Sequence, residues 1–322
     1  MPINDKFKIV LDIKGVNKHF GSNLVLHDVN LKIAQGEIVA LVGPSGCGKS
    51  TLLKIILGIL DASSGLVMLS RDGVRYAIEG PGEDRGVVFQ SYGLLPHLTA
   101  EQNVAIGPDF IQTNLLQRAF AWLPWSKVRK LKRKDLIEAR KILTKMGLGN
   151  AHDKYPSELS GGMRQRVAIA QAIATKPRIL LLDEPFGALD EATRESLQTM
   201  LLEFYQENLQ AVQRGEEPPY TVLIVTHELN EAIFVADSVV GLSQYWDWKA
   251  EGFASCPGAT IIYDKVAPIF HPEDPKEHGL FVKQRKEIRR VVFHDGDELP
   301  NRTDHVTFWK EMMAGKTVGV LS

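Results

Sequence analysis

The chain has 322 residues, of which 44% are apolar and 24% charged, and its 38 basic and 39 acidic residues leave a formal net charge of −1; this is typical of a globular protein and argues against one that wraps nucleic acid electrostatically. Two cysteines, Cys47 and Cys256, are too few for a disulfide framework and favour a reducing compartment. The sequence shows no signal segment and no run of eighteen apolar residues, which predicts that the chain does not cross a bilayer.

The N-terminal part of the chain predicts short strands separated by turns. The apolar run at 9–11 is followed by turn signals at Gly15, at 21–23 and at 35–36. Residues 38–42 are continuously apolar, as expected of a strand that is buried on both faces. We therefore expect an antiparallel edge subdomain that leads into the central sheet.

A glycine-rich segment follows this strand directly and matches the pattern G-x-x-x-x-G-K-[ST]. It precedes a predicted helix at 50–60, so its backbone N–H groups and the helix N-terminus can cradle phosphate oxygens. We expect Lys49 to reach the β and γ phosphates of a nucleotide and the Ser50 hydroxyl to bind Mg²⁺; the alternative is a chance glycine-rich turn. The predicted nucleotide-binding residues are Gly43, Pro44, Ser45, Gly46, Cys47, Gly48, Lys49, Ser50 and Thr51.

Cys47 lies within this loop, close to the predicted helix start. Because a helix N-terminus stabilises a thiolate, we expect the pKa of Cys47 to be lowered and its alkylation to be blocked by bound ATP. The alternative role of this small side chain is packing.

Helices and buried strands alternate along the rest of the chain. The further helices are predicted at 162–174 and 191–208, and the strands at 179–182 and 221–225. This alternation indicates an α/β fold with a largely parallel sheet.

Three segments are predicted to be additions to this core. Residues 109–134 hold four large aromatic side chains followed by six basic residues. Residues 209–219 are polar and end in two prolines, which predicts a surface loop. Residues 244–322 show little periodicity. The aromatic and basic residues of the first segment are Phe110, Phe120, Trp122, Trp125, Lys127, Arg129, Lys130, Lys132, Arg133 and Lys134.

Two adjacent carboxylates, Asp183 and Glu184, follow the strand at 179–182. We expect Asp183 to hold the Mg²⁺ shell through water and Glu184 to orient and deprotonate the attacking water. An acidic pair after a strand is by itself more often a helix cap or a turn, so this prediction depends on the phosphate loop.

Residues 159–166 read LSGGMRQR and resemble the signature motif of the ATP-binding cassette ATPases, and the resemblance extends over residues 7–293. Ser160, Gly161 and Gly162 place a hydroxyl and N–H groups at a helix start, which makes a second anion-binding surface; the alternative is an ordinary helix N-cap. The resemblance implies a head-to-tail dimer in which each ATP lies between the phosphate loop of one copy and the signature of the other.

Further residues occur in the order that the family shows. Gln90 matches the glutamine that contacts Mg²⁺ and water, and His227 matches the switch histidine that contacts the γ-phosphate and Glu184. Residues 187–190 match the loop at the dimer seam, and Phe20 matches the aromatic that stacks on adenine. Taken singly, Phe20 also suits core packing, Gln90 a surface amide and His227 a neutral core imidazole.

The resemblance implies a RecA-like phosphate-loop NTPase core with an antiparallel β subdomain and a helical signature subdomain. On this basis residues 7–243 form the ATPase domain, and the helical subdomain covers about 91–175 with an insertion at 109–134. Residues 244–322 then form a C-terminal extension. Met163 departs from the family, in which glutamine is common at this place.

Residues 94–104 resemble the stretch that receives a short cytoplasmic helix of the membrane subunit in transporter cassettes. Residues 236–243 and 257–262 resemble the importer branch for nitrate, alkanesulfonates and taurine, and the match around Pro268 and Pro272 is looser. The resemblance implies transmembrane permease subunits and, indirectly, a periplasmic solute-binding protein as partners, with no nucleic acid. It places the chain peripherally on the cytoplasmic face of the inner membrane.

Other functions compete with this interpretation. They are a soluble cassette ATPase of translation or DNA repair, a subunit of an exporter or lipid transporter, a phosphate-loop kinase or GTPase, and a non-hydrolysing regulatory subunit. A single cassette without a heptad pattern argues against the soluble ATPase, and the signature argues against the kinase or GTPase. Glu184 and His227 argue against the regulatory subunit.

The segment 109–134 falls beside the surface for the membrane subunit. We hypothesise that its aromatic and basic residues contact lipid headgroups or that subunit, because each basic residue near anionic lipid contributes about 1 kcal/mol. The alternative is a solvated helix start preceded by a loop.

Overall fold

The protein is represented by a computed structural model that describes residues 7–71, 73–111, 133–187, 189–267, 279–296, 298–315 and 321. The predicted α/β fold is confirmed, since the described strands form two sheets against which the helices pack. The strands are β1 (Ile9–Phe20), β2 (Asn23–Ala34), β3 (Ile38–Val42), β4 (Ser64–Arg71), β5 (Val74–Ala77), β6 (Arg85–Val88), β7 (Ile179–Asp183), β8 (Val222–Thr226), β9 (Ser238–Ser243), β10 (Thr260–Val266) and β11 (His305–Val306). The helices are α1 (Lys49–Ile56), α2 (Ala100–Ile111), α3 (Arg133–Lys145), α4 (Gly161–Ala174), α5 (Glu191–Gln213), α6 (Leu229–Val235), α7 (Gly279–Val292) and α8 (Phe308–Met313), with a 3₁₀ turn at Pro156–Glu158.

The smaller sheet is antiparallel, with the strand order β2-β1-β4-β5. The prediction of short strands with a break at Gly15 is wrong, because β1 and β2 each run for 12 residues. Gly15 has a φ of +57°, and the pairing register shifts between Ile13 and Val16. The glycine therefore makes a bulge that lets the strand continue.

The larger sheet has the order β11-β10-β9-β3-β8-β7-β6. Its strands from β9 to β6 are parallel, whereas β10 runs antiparallel to β9. The apolar strand β3 is central and fully buried, as predicted. Ile38, Ala40 and Val42 face one core, and Val39 and Leu41 face the other. Because parallel strands end at the same edge, β3, β7 and β8 deliver their following residues to one place.

Two helices differ from their predicted lengths. Helix α1 ends at Ile56 rather than at residue 60, and Gly58 follows with a φ of +70°. Helix α5 extends to Gln213, so the predicted surface loop at 209–219 is helical over its first part. The apolar periodicity explains this continuation, since Ala211 is buried in that turn.

Helices α2, α3 and α4 pack against one another outside the larger sheet. The loop that precedes α2 is fixed by Asn103, whose amide donates to the carbonyls of Leu95 and Leu98. The same side chain accepts a hydrogen bond from the Leu95 N–H at 2.8 Å. Most of the predicted insertion at 109–134 lies outside the described residues, as do Pro268 and Pro272.

Residues that follow 243 add strands to the larger sheet. In β10, Thr260 pairs with Ser243 of β9, so the predicted division after residue 243 lies between neighbouring strands. Just before β10, the Ala259 N–H donates to the Val25 carbonyl at 3.0 Å, and the His27 N–H donates to the Ala259 carbonyl at 2.8 Å. The C-terminal segment therefore joins the two sheets.

The described helices include none that combines the length and the apolarity needed to cross a membrane. The longest, α5, has 23 residues, and its sequence includes charged and amide side chains throughout. Its buried side chains, such as Leu197 and Leu201, pack in the protein core.

Candidate active site

The phosphate loop lies between β3 and α1 and depends on its glycines. Gly48 has a φ of +103° and precedes Lys49, the first residue of α1. A Cβ on Gly43 would lie 2.2 Å from the Leu242 carbonyl oxygen, and one on Gly48 would lie 2.7 Å from Leu26 Cδ2. A larger residue at either position would move the loop away from β2 and β9.

The Lys49 side chain is buried and lies across this loop. Its ammonium donates to the carbonyls of Gly43 at 2.7 Å and Pro44 at 3.1 Å. Ser50 follows on the exposed side of the first helical turn. Lys49 thus lies against the loop that the sequence predicts to bind phosphate, and Ser50 is exposed beside it.

Asp183 ends β7 and lies close to the loop. Burial is the main cause that raises the pKa of Asp183, the neighbouring Glu184 carboxylate raises it further, and the Lys49 and Lys54 ammonium groups oppose both effects. Because β3, β8 and β7 are adjacent and parallel, the loop after β3 and the carboxylate at the end of β7 lie at the same edge of the sheet. Ser50, Gln90 and Asp183 offer a hydroxyl, an amide and a carboxylate, which are the oxygen donors that Mg²⁺ prefers.

Glu184 and His227 form the most direct contact of the site. Nδ1 of His227 lies 2.8 Å from Oε2 of Glu184. Glu184 has a φ of +49°, which is uncommon outside glycine, and its N–H donates to the Val225 carbonyl at 2.8 Å. That hydrogen bond to β8 holds the turn so that the carboxylate faces the histidine.

Gln90 lies beside the same turn. A Cβ placed on Gly187 would lie 3.5 Å from Gln90 Nε2 and 3.9 Å from the Cβ of Glu184. Gln90 is exposed, and the side chain of His227 is 49% exposed. The imidazole is therefore not a core group, and both side chains are accessible to a ligand.

The signature residues lie at the start of α4. Ser160 caps this helix, with its Oγ accepting from the Met163 N–H at 3.3 Å. A Cβ on Gly162 would lie 1.9 Å from Thr193 Cγ2, so the glycine allows α4 to approach α5. The hydrogen bonds of Ser160 in the described part stay within its own helix, and none reaches the phosphate loop.

Phe20 ends β1 and is 49% exposed, so it is not a core residue. The Lys18 ammonium lies 5.2 Å from the centroid of its ring. The ring is thus available for stacking, as expected of an aromatic that contacts a base.

The expectation for Cys47 is wrong. The thiol is 2% exposed and packs with the core on one side of the larger sheet. Burial raises the pKa of Cys47, and the nearby Lys49 ammonium lowers it by less. The side chain therefore has the packing role, and its alkylation is no test of nucleotide binding.

Tyr92 is a contact that the sequence predictions did not single out. The Arg164 guanidinium lies 5.8 Å from the centroid of its ring, and a Cβ on Gly161 would lie 3.7 Å from its hydroxyl. Tyr92 therefore connects the turn of Gln90 to the signature helix. The only signal in the sequence is its position two residues after Gln90, because the packing across to α4 is not local.

A family model described as ABC transporter matches residues 26–187, which include the phosphate loop, the signature and both carboxylates. The taurine import ATP-binding protein TauB of Escherichia coli is 42% identical over 234 residues, which cover 73% of this chain and 80% of that protein. The protein of the same name from Shigella boydii is also 42% identical, with the same coverage.

Solved structures of ATP-binding cassettes share the fold. A nucleotide-free cassette from an ABC transporter gives a TM-score of 0.64 at 23% identity, covering 90% of this chain and 100% of that chain. A dimeric cassette in a post-hydrolysis state bound to ADP and Pi gives a TM-score of 0.57 at 27% identity, covering 81% of this chain and 100% of that chain.

Proposed function

Because this chain belongs to the ABC transporter family, we propose that it is the ATP-hydrolysing subunit of an importer for small solutes that carry an anionic sulfonate group, such as taurine. The proposal that the chain hydrolyses ATP rests on the contact of 2.8 Å between Glu184 and His227 beside the phosphate loop. The solute class rests on the relatives named for taurine import, which are 42% identical.

Nucleotide binding begins at the phosphate loop. Backbone N–H groups of the loop and the N-terminus of α1 bind the phosphate oxygens, and the adenine stacks on Phe20. Lys49, held by the carbonyls of Gly43 and Pro44, supplies a cation for the β and γ phosphates. Mg²⁺, held by Ser50, Gln90 and Asp183, would neutralise part of the phosphate charge.

Hydrolysis requires a base for the attacking water. In the neutral tautomer that carries its proton on Nδ1, His227 donates to Oε2 of Glu184. The other carboxylate oxygen of Glu184 is then free to accept the proton of the water. His227 orients the carboxylate through Nδ1 and lies beside the γ-phosphate.

The complete site needs a second copy of the chain. Residues 160–162 of one copy close over the phosphate loop of the other, head to tail, and Gln90 and Tyr92 relay this closure to the permease. A transmembrane permease and, through it, a periplasmic solute-binding protein are the other partners. The chain acts peripherally on the cytoplasmic face of the inner membrane, with residues 7–243 as the ATPase domain and about 91–175 as its helical subdomain.

The proposal is tested by reconstituting the chain with its permease in vesicles and measuring ATP-driven uptake of taurine with the solute-binding protein present. We expect uptake with the native chain and none with Glu184→Gln, although both assemble on the permease. Assembly without uptake of any sulfonate would contradict the solute class. Rapid hydrolysis by a monomer that binds no permease would instead support a soluble ATPase.

A further inference from the structure

A cavity of about 300 Å³ lies beside the switch histidine of the hydrolysis site. It separates the turn that follows β8 from helix α7 and from the residues after that helix. The polar residues that line it are His227, Glu228, Asn230, Arg285, Arg289 and Asp295. The cavity therefore touches the switch histidine on one side and the C-terminal extension on the other.

The two sides are connected by a hydrogen bond. Arg285 donates from Nη1 to Oδ1 of Asn230 at 3.1 Å. Below this contact the backbone of Asp295 folds back on α7, where its N–H donates to the Arg289 carbonyl at 3.2 Å. The cavity is thus bounded by residues that the fold holds in place.

Opposite charges line this cavity without neutralising one another. Within the ranges that the structure describes, the Arg289 guanidinium and the Asp295 carboxylate form no ion pair and no side-chain hydrogen bond. Glu228 lies on the opposite wall, with Oε1 at 3.4 Å from Nε2 of His227. The cavity therefore presents two guanidinium groups and two carboxylates to the same small volume.

We propose that this cavity binds a small zwitterion that carries an ammonium group and an oxyanion, of the aminosulfonate class. The oxyanion lies between Arg285 and Arg289, because guanidinium groups bind planar and tetrahedral oxyanions through several donors. The ammonium lies between Glu228 and Asp295. The charged side chains of the cavity indicate that the ligand is a zwitterion, whereas the choice of a sulfonate as its oxyanion rests on the proposed function.

Binding in this cavity affects the hydrolysis site through one residue, His227. The ammonium of the ligand donates to the Glu228 carboxylate and to Nε2 of His227, which lie 3.4 Å apart and are both acceptors when the ring proton is on Nδ1. His227 keeps its contact with Glu184 through Nδ1, so the ligand gives a new partner to one ring nitrogen only. A differential contact of this kind couples two sites energetically.

The test titrates taurine into the purified full-length chain and follows binding by calorimetry and by the ring resonances of His227. Ethanesulfonate and ethylammonium are the matched probes, because each keeps one of the two charges of taurine. We expect taurine to bind and each probe to bind at least about tenfold more weakly, as the loss of a charged contact predicts. The His227 resonances shift only with taurine and ethylammonium.

Variants of the lining residues show whether taurine binds in this cavity. We expect Arg289→Ala to weaken the binding of taurine about tenfold or more. Asp295→Asn weakens the binding of taurine but not that of ethanesulfonate. Lys283→Ala removes an exposed cation from another face of the same helix and leaves binding unchanged. Equal affinity for taurine and ethanesulfonate, absence of taurine binding, or binding that Arg289→Ala does not alter would overturn the inference.

The same preparations separate this inference from the proposed function. Taurine uptake by the reconstituted transporter, together with no binding to the isolated chain, overturns the cavity site and leaves the importer intact. Taurine binding that Arg289→Ala abolishes, together with uptake of a different class of solute, supports the cavity site and contradicts the importer.

Discussion

Glu184 combines an uncommon backbone conformation with a position between a buried strand and His227. Its φ of +49° is maintained by the hydrogen bond to Val225, and a strained residue that the surrounding structure holds in place is typical of active sites. We expect Glu184→Gln to bind ATP and to remain a closed dimer. Its hydrolysis rate falls by about 10² to 10⁴, because the amide cannot accept the proton of the water.

Phosphate release and gel filtration in the presence of ATP check this expectation. Glu228→Gln makes the same change at the carboxylate that lies 3.4 Å from the other ring nitrogen of His227, and it serves as the matched control, with hydrolysis much closer to normal. Near-normal turnover of Glu184→Gln would remove this residue from the role of base.

His227→Ala removes the group that orients the Glu184 carboxylate. We expect kcat to fall while ATP affinity changes little, because the contact of 2.8 Å is made to the catalytic residue. His152→Ala is a suitable control, since the ring of His152 contacts the Gly149 carbonyl in a different loop. Unchanged turnover of the His227 variant would give the imidazole a purely structural role.

Lys49→Ala removes the buried ammonium at the mouth of the phosphate loop. We expect a loss of ATP affinity rather than a selective loss of turnover, because the cation contacts the phosphates in the ground state as well. Titration with a fluorescent ATP analogue measures this loss. Lys141→Ala, which removes an exposed cation paired with Glu138 in α3, should bind like the native chain.

At the scale of elements, the close approach of α4 and α5 depends on one glycine. Gly162→Ala would place a methyl group 1.9 Å from Thr193 Cγ2, so the Thr193 side chain or one of the helices must shift. We expect a loss of about 1 to 3 kcal/mol of unfolding free energy, measured by urea denaturation. Thr193→Ser keeps the hydroxyl that bonds to Asp190 and removes Cγ2, so the double variant should recover part of the loss.

The elements that carry the site were predictable because their signals are local. The phosphate loop is one continuous pattern between an apolar strand and a helix, and Asp183 and Glu184 directly follow another apolar strand. Gly15 shows the limit of such patterns, since a glycine suits a turn and a bulge equally, and the pairing of β1 with β2 decides between them. The buried thiol of Cys47 likewise depends on how α1 packs against the smaller sheet.

Strand β10 was not predicted for a related reason. Residues 260–266 become a strand through pairing with β9, and the sequence around them lacks a clear period. The contact between Tyr92 and Arg164 also joins distant parts of the chain. Features of this kind require the tertiary structure, because propensity and periodicity describe only neighbours along the chain.

At the scale of the whole molecule, three buried carboxyl groups lie where the strands of the larger sheet begin or pair. Glu37 accepts from the Ala34 N–H and from the Ser238 hydroxyl, and Asp237 accepts from the Ile38 N–H. Burial raises the pKa of Glu37 to about 8, that of Asp237 to about 7 and that of Asp264 to about 8. The native protein therefore retains protons that the unfolded chain releases.

This difference makes stability depend on pH. Because the native state binds more protons between the ordinary carboxyl pKa values and about 8, the unfolding free energy decreases as pH rises through that window. Urea denaturation at pH values from about 5 to 9 measures the slope. Glu37→Gln keeps a neutral side chain at every pH, so its slope should be shallower, and an equal slope would contradict this origin.

The pairing of Ala259 with Val25 and His27 has a consequence for the order of events during synthesis. Leu26, between these two residues, lies against Gly48 of the phosphate loop, so the loop is supported by a segment encoded more than two hundred positions later. A nascent chain that emerges from the ribosome lacks that support until translation has passed this segment. Nucleotide competence is therefore acquired only after residue 259 has been translated.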